Sequence, residues 1–223
     1  MNSLNTAPAL GEAERQIRQS IIDACRRMNT LGINQGTSGN ISVRHGDGML
    51  VTPTSMPYDG MQPEDIVYMH GDGTSQGRRQ PSSEWRFHLD ILRARPDVQA
   101  VVHAHPPYCT SLSILEKPIP PIHYMVAVAG GSDIRCAPYA TFGTEELSAN
   151  ALQALTDRKA CLLAHHGMIA TGATLDKAMW LAVEVETLAR QYLTCLQVEE
   201  PPLLSLDEIR NVIARMGNYG HRD

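Results

Sequence analysis

The 223-residue sequence predicts an α/β fold, a three-layer α/β/α sandwich with a mostly antiparallel central sheet. Three observations predict it. Short apolar runs of strand length recur between Gly-rich turns, amphipathic helical stretches fall among them, and the two alternate without the steady strand–helix–strand rhythm that builds a parallel sheet. At this length, with 43% hydrophobic residues, the chain can bury a substantial core. One domain over residues 1–223 is expected, with no internal repeat.

Taken in order, Ile17, Ile21, Ala24, Cys25, Met28 and Leu31 recur at helical spacing, and Gly32 stands where a helix end favours glycine. "NQGTSGNISVR" follows as a Gly-rich turn feeding the alternating Ile41 and Val43, and the "HGDG" turn leads to "MLVTP", so a hairpin is expected. A further strand lies around "DIVYMH". "PSSEWRFHLDILRARPD" opens a helix with serines at the capping positions, Trp85, Leu89 and Leu92 on one face, and Pro96 as its stop. "VQAVVHAH", "RCAPYA" and "KACLLAHHGMIATG" are strand candidates, and "GTEELSANALQAL" is a helix after Gly143. From Leu175 to Leu193 an apolar stripe marks a long helix that Thr174 can cap, and "VEEPPLLSLDE" links it to a final helix.

The formal net charge of −5, with no Lys/Arg-rich run, excludes the usual nucleic-acid binder. The N-terminal "MNSLNTAPALGEAERQ" lacks a signal-peptide pattern, and no run of eighteen apolar residues occurs, so a soluble cytoplasmic protein with no membrane partner is expected. The cysteines (Cys25, Cys109, Cys136, Cys161, Cys195) are scattered without a C-x-x-C pair, as reduced core residues would be.

Chemistry concentrates in a few short stretches. In "AVVHAHPPY", His103 and His105 are one residue apart at a strand end, where alternate side chains share a face and can share one cation. "LLAHHGMIA" offers a third imidazole, from either His165 or His166, because consecutive strand residues face opposite sides. Three histidines from two strand ends make a catalytic-type site with a position left for substrate, and nitrogen ligands favour zinc. Glu84, expected in the first turn of its helix, adds a carboxylate able to serve as base or ligand. His88 is spaced from Glu84 as a metal pair would be, but shares a face with Trp85 and Leu92 and is expected to pack. Three polar loops, "GTSGN", "TPTS" and "PSSE", have the turn amides and hydroxyls that hold a phosphate dianion without a basic patch.

Together "NQGTSGNISVR", "TPTSMPY", "PSSEWRFH", "AVVHAHPPYCTSLSIL", "IPPIHYM", "CAPYATFGT" and "LLAHHGMIA" resemble the class II aldolase/adducin family, with its L-fuculose-1-phosphate branch nearest in pattern. The match runs in order from about Ile17 to Tyr219. The resemblance implies a zinc ion on His103, His105 and His166, with Glu84 as both resting ligand and catalytic acid/base. It implies phosphate contacts at Asn40, Thr54, Ser55, Ser82 and Ser83, catalytic roles for Tyr124 and Tyr219, and a homotetramer with active sites between subunits. The reaction implied is retro-aldol cleavage of a ketose 1-phosphate, L-fuculose 1-phosphate or a related deoxypentulose phosphate, to dihydroxyacetone phosphate and an aldehyde. A pentulose-phosphate 4-epimerase, a methylthioribulose-phosphate aldolase and a non-catalytic adducin-like module are the alternatives. Ser55 departs from the branch, which usually has glycine there; a positive φ at that position would cost a serine conformational energy.

Overall fold

The computed structural model describes residues 11–217. Helix α1 (Glu12–Thr30) buries Ile21, Ile22, Cys25 and Met28 and ends where Gly32 turns left-handed at φ 71°, as the periodicity and the glycine predict. Strands β1 (Asn40–His45) and β2 (Gly48–Val51) form the expected hairpin; β3 (Val67–Met69) and the short β4 (Ser75–Gln76) extend it. Then come α2 (Trp85–Ala94), β5 (Ala100–Ala104), α3 (Pro107–Ile114), β6 (Cys136–Ala137), α4 (Glu145–Ala154), β7 (Ala160–Leu163), β8 (Gly167–Gly172), α5 (Leu175–Leu196) and α6 (Leu206–Gly217). Thr144 and Thr174 cap α4 and α5, their hydroxyls accepting the backbone N–H of Leu147 and Lys177.

The strands form one eight-stranded sheet in the order β4-β3-β2-β1-β5-β8-β7-β6. All its pairs are antiparallel except β6 with β7. Alternation along the strands sorts the core into two layers. Ala100, Val102, Ala104, Leu162, Met168 and Ala170 face α1, α3 and α5, whereas Val101, Cys161, Leu163 and Ile169 face α2 and α4. Each large apolar side chain so enclosed contributes about 1.5–3 kcal/mol relative to leaving it in water. The α/β/α sandwich is therefore the observed architecture. No described helix is long and apolar enough to cross a membrane.

Three local features differ from expectation. Helix α3 was not foreseen: only Cys109, Leu112 and Ser113 of "PYCTSLSI" are buried, so its polar residues leave no apolar stripe to read. Glu84 lies just before α2, at its N-cap with φ −102°, rather than in the first turn, and Ser82 and Ser83 precede the cap. "KACLLAHHGMIATG" is a hairpin whose turn is Ala164, His165 and His166, with Gly167 opening the next strand.

Strand pairing sets where the chemistry can occur. Asn40, first in β1, lies opposite His103 of β5, and Ala104 lies opposite Met168 of β8. The start of β1, the end of β5 and the β7–β8 turn therefore meet at one end of the sheet's middle.

Candidate metal centre

His103 is wholly buried on the α2 side, edge-on to Phe87 with ring centroids 5.4 Å apart. Its Nδ1 donates to the Met168 carbonyl at 2.9 Å, which leaves a lone pair on Nε2. That Nε2 is 3.0 Å from Nε2 of His105, just past the strand end, and 3.2 Å from Oε2 of Glu84. Nε2 of His166 lies 3.1 Å from Oε1 of Glu84. Burial pushes the His105 pKa down to about 3, so its ring is neutral. Burial raises the Glu84 carboxyl, but its contacts with His103, and then with His166, outweigh it and hold the group well below the usual carboxylate range.

These four side chains fit a metal ion. One ligand atom from each lies within 4.8 Å of the other three. Glu84 Oε1 is buried and has no hydrogen-bond donor although His166 Nε2 lies 3.1 Å away, so a buried carboxylate oxygen faces the imidazole nitrogens unsatisfied. A cation satisfies such a cluster, and three nitrogens with one carboxylate oxygen are a zinc-type donor set.

The turn decides which of the paired histidines joins. His165, left-handed at φ 54°, turns outward with Nε2 3.1 Å from Oε1 of the exposed Glu116, and His166 faces the cluster. Gly167 permits the approach: a Cβ there would lie 2.5 Å from the Ala104 carbonyl oxygen and 2.8 Å from Cδ2 of His105. Gly167→Ala is accordingly expected to weaken metal binding by about 10–100-fold, the range seen when a ligand's support is disturbed. A chelator-competition titration measures this, and wild-type affinity would show that the turn tolerates the methyl group.

The polar loops are partly joined. Ser82 donates its N–H to the Thr52 carbonyl at 2.9 Å, Thr54 donates its N–H to that of Gln80 at 3.1 Å, and Pro53 bridges Pro81, so "TPTS" and "PSSE" run side by side. Ser82 is buried and its hydroxyl accepts the Glu84 N–H at 3.2 Å, while Ser83, Thr54 and Ser55 are exposed. Ser55 does adopt a left-handed φ of 53°, the condition under which serine is costlier than glycine, by roughly 1–2 kcal/mol. The "GTSG" loop presses on β5: a Cβ at Gly39 would meet the His103 carbonyl oxygen at 2.8 Å. Its Ser38 hydroxyl is engaged internally, by Asn34 Oδ1 and the Gln35 carbonyl.

Tyr124 opens a 3-10 turn over Tyr124–Ala129, half-exposed and stacked on His123, with no side-chain hydrogen bond among the described residues. Tyr219 lies outside the described residues. Cys109 is buried, and desolvation followed by the Glu186 charge raises its thiol well above the ordinary value, so it is no thiolate.

Two supporting residues escaped the sequence reading. Glu186 of α5 accepts the N–H groups of Tyr108 and Cys109 at 3.0 and 2.8 Å, fixing the start of α3 directly behind His105. His88 packs as expected, yet it also bonds Asn40 and Ser42. Neither contact has a local spacing signature; each joins residues more than forty positions apart.

The family model described as Class II Aldolase and Adducin N-terminal domain matches residues 19–193. The chain belongs to this family. It is a class II aldolase, a carbon–carbon lyase, in a family that is typically metal-dependent. A 5-methylthioribulose-1-phosphate/5-deoxyribulose-1-phosphate aldolase of Rhodospirillum rubrum is 58% identical to this aldolase, covering 92% of each chain. An L-fuculose phosphate aldolase of Escherichia coli K12 is 53% identical over 93% of this chain and 97% of its own. The solved structure of an L-fuculose 1-phosphate aldolase superposes with a TM-score of 0.88 at 37% identity, over 91% of this chain and 96% of that one.

Proposed function

We propose that this aldolase uses zinc to cleave a ketose 1-phosphate between C3 and C4, releasing dihydroxyacetone phosphate and an aldehyde. The observation that carries the reading is the convergence of Glu84 with His103, His105 and His166, a carboxylate with a bare buried oxygen among three imidazole nitrogens. L-Fuculose 1-phosphate and 5-deoxypentulose 1-phosphates are the candidate substrates. A methylthioribulose phosphate is a second, favoured by the name of the relative at 58% identity.

When bound, zinc supplies Lewis acidity toward the substrate's C2 and C3 oxygens. The chain's own residues do the rest. Asn40, Thr54, Ser55, Ser82 and Ser83 hold the phosphate through amide, hydroxyl and backbone donors, fixing C2 and C3 near the cluster. Breaking C3–C4 sends the C4 hydroxyl proton to Tyr124 and the bonding electrons toward C3. There a proton that Glu84 takes up from solvent and passes on completes dihydroxyacetone phosphate, and Tyr124 returns its proton to solvent. Tyr124 acts from a neighbouring subunit of a homotetramer, a role supported by its 50% exposure. The cytoplasm is the proposed location.

The test is kcat/KM for L-fuculose 1-phosphate or a 5-deoxypentulose 1-phosphate beside the matching free ketose. The phosphorylated form is expected to be favoured by on the order of 10²-fold or more, in kcat as well as KM, because a remote anchor positions the reacting carbons. Ser83→Ala should narrow that preference without removing metal. Equal values for the two forms would defeat the phosphate site.

A further inference from the structure

A chain of buried polar groups runs behind the carboxylate. Ser42 of β1 and His88 of α2 are both wholly buried, and Asn40 is 5% exposed. Ser42 Oγ lies 2.8 Å from Nδ1 of His88, Nε2 of His88 lies 2.5 Å from Oδ1 of Asn40, and Asn40 Nδ2 lies 2.9 Å from Oε2 of Glu84. Direction follows from the atoms. An amide oxygen and a carboxylate only accept, so Nε2 carries the ring proton, Nδ1 carries a lone pair, and the Ser42 hydroxyl donates to it. Burial lowers the His88 pKa to about 3, which keeps the ring in the neutral form this order requires.

Were the Asn40 amide turned over, its NH2 would meet the His88 N–H and its oxygen would meet Glu84 Oε2, two clashes of like polarity at hydrogen-bond distance. We propose that Ser42 and His88 are positioning residues that lock the Asn40 amide, so that one Nδ2–H holds Glu84 Oε2 in place for the metal. On the reading of Asn40 as a phosphate contact, the second Nδ2–H is left for a phosphate oxygen. The amide then couples the carboxylate to the anion site, and two residues remote from substrate set both.

Three variants separate this role from simple packing. His88→Met keeps bulk but removes the donor, His88→Gln restores a donor toward Asn40, and Ser42→Ala removes the hydroxyl that donates to Nδ1 and holds the ring from behind. Zinc affinity by chelator competition is expected to fall about 10–100-fold in His88→Met, to recover most of that in His88→Gln, and to fall less in Ser42→Ala. Affinity for inorganic phosphate should weaken alongside in His88→Met. In wild type, 15N spectra of histidine-labelled apoprotein should show His88 protonated at Nε2 only. Wild-type zinc affinity in folded His88→Met, or equal impairment of the Gln and Met variants, would overturn the proposal. Should His88→Met fail to fold, the tautomer decides, and Nδ1 protonation in wild type would overturn it. A wild type that binds zinc but no inorganic phosphate would instead defeat the phosphate reading, leaving zinc affinity and tautomer to judge the positioning role.

Discussion

Glu84→Gln is expected to fold, to keep phosphate affinity, and to lose about 10²-fold or more of proton-transfer activity. Glutamine nearly preserves volume, and its carbonyl oxygen can accept the Asn40 amide that Glu84 Oε2 accepts at 2.9 Å. Its NH2 would then stand where Oε1 faces Nε2 of His166 at 3.1 Å. The variant therefore keeps the polar contacts and loses only the titratable proton and one anionic ligand. Exchange of deuterium at C3 of dihydroxyacetone phosphate is the measurement, since it isolates the step assigned to Glu84 from cleavage itself. Wild-type exchange in the variant would remove Glu84 from the mechanism.

Removing an imidazole should act on the metal directly. His103→Ala and His166→Ala are expected to purify with little or no bound zinc, whereas His165→Ala retains it. The contrast between adjacent residues is a strong test because it depends on the turn: His165 points toward Glu116, and its ring cannot replace that of His166. Alanine at position 165 inherits the same left-handed φ of 54° that histidine bears, so backbone strain is nearly unchanged by that substitution. Metal content after gel filtration reads the outcome. Equal zinc in wild type and His166→Ala would dismiss the ligand assignment.

The layers of the sandwich were legible wherever periodicity was strong. The stripes of α1 and α5, the glycine after α1 and the threonine caps all lie within short windows of sequence. His103 and His105 were legible as a pair for the same reason, being one residue apart at a strand end. His165 and His166 were not separable by their spacing alone; a tight turn, rather than strand alternation, chooses between them. Helix α3 was invisible because Ser, Thr and Pro fill half of it and its position is fixed from outside, by Glu186. His88 was readable as buried but not as a hydrogen-bonding partner, since Ser42 and Asn40 reach it only after the sheet has formed. Ser55 shows the converse: a comparison of residue types anticipated the left-handed backbone that the fold adopts.

The strand order carries a kinetic consequence. β5 is flanked by β1, which precedes it by some sixty residues, and by β8, which follows it by about as many, so the centre of the sheet closes through non-local pairing. Such pairing is slow because chain entropy is spent before the contacts repay it. The histidines of β5 and of the β7–β8 turn meet only once both closures are made. Metal capture therefore belongs to the end of folding. An ion held by these residues would join a sheet that has already found its register, and on the proposed zinc reading the appearance of high-affinity zinc binding during refolding would time that last event.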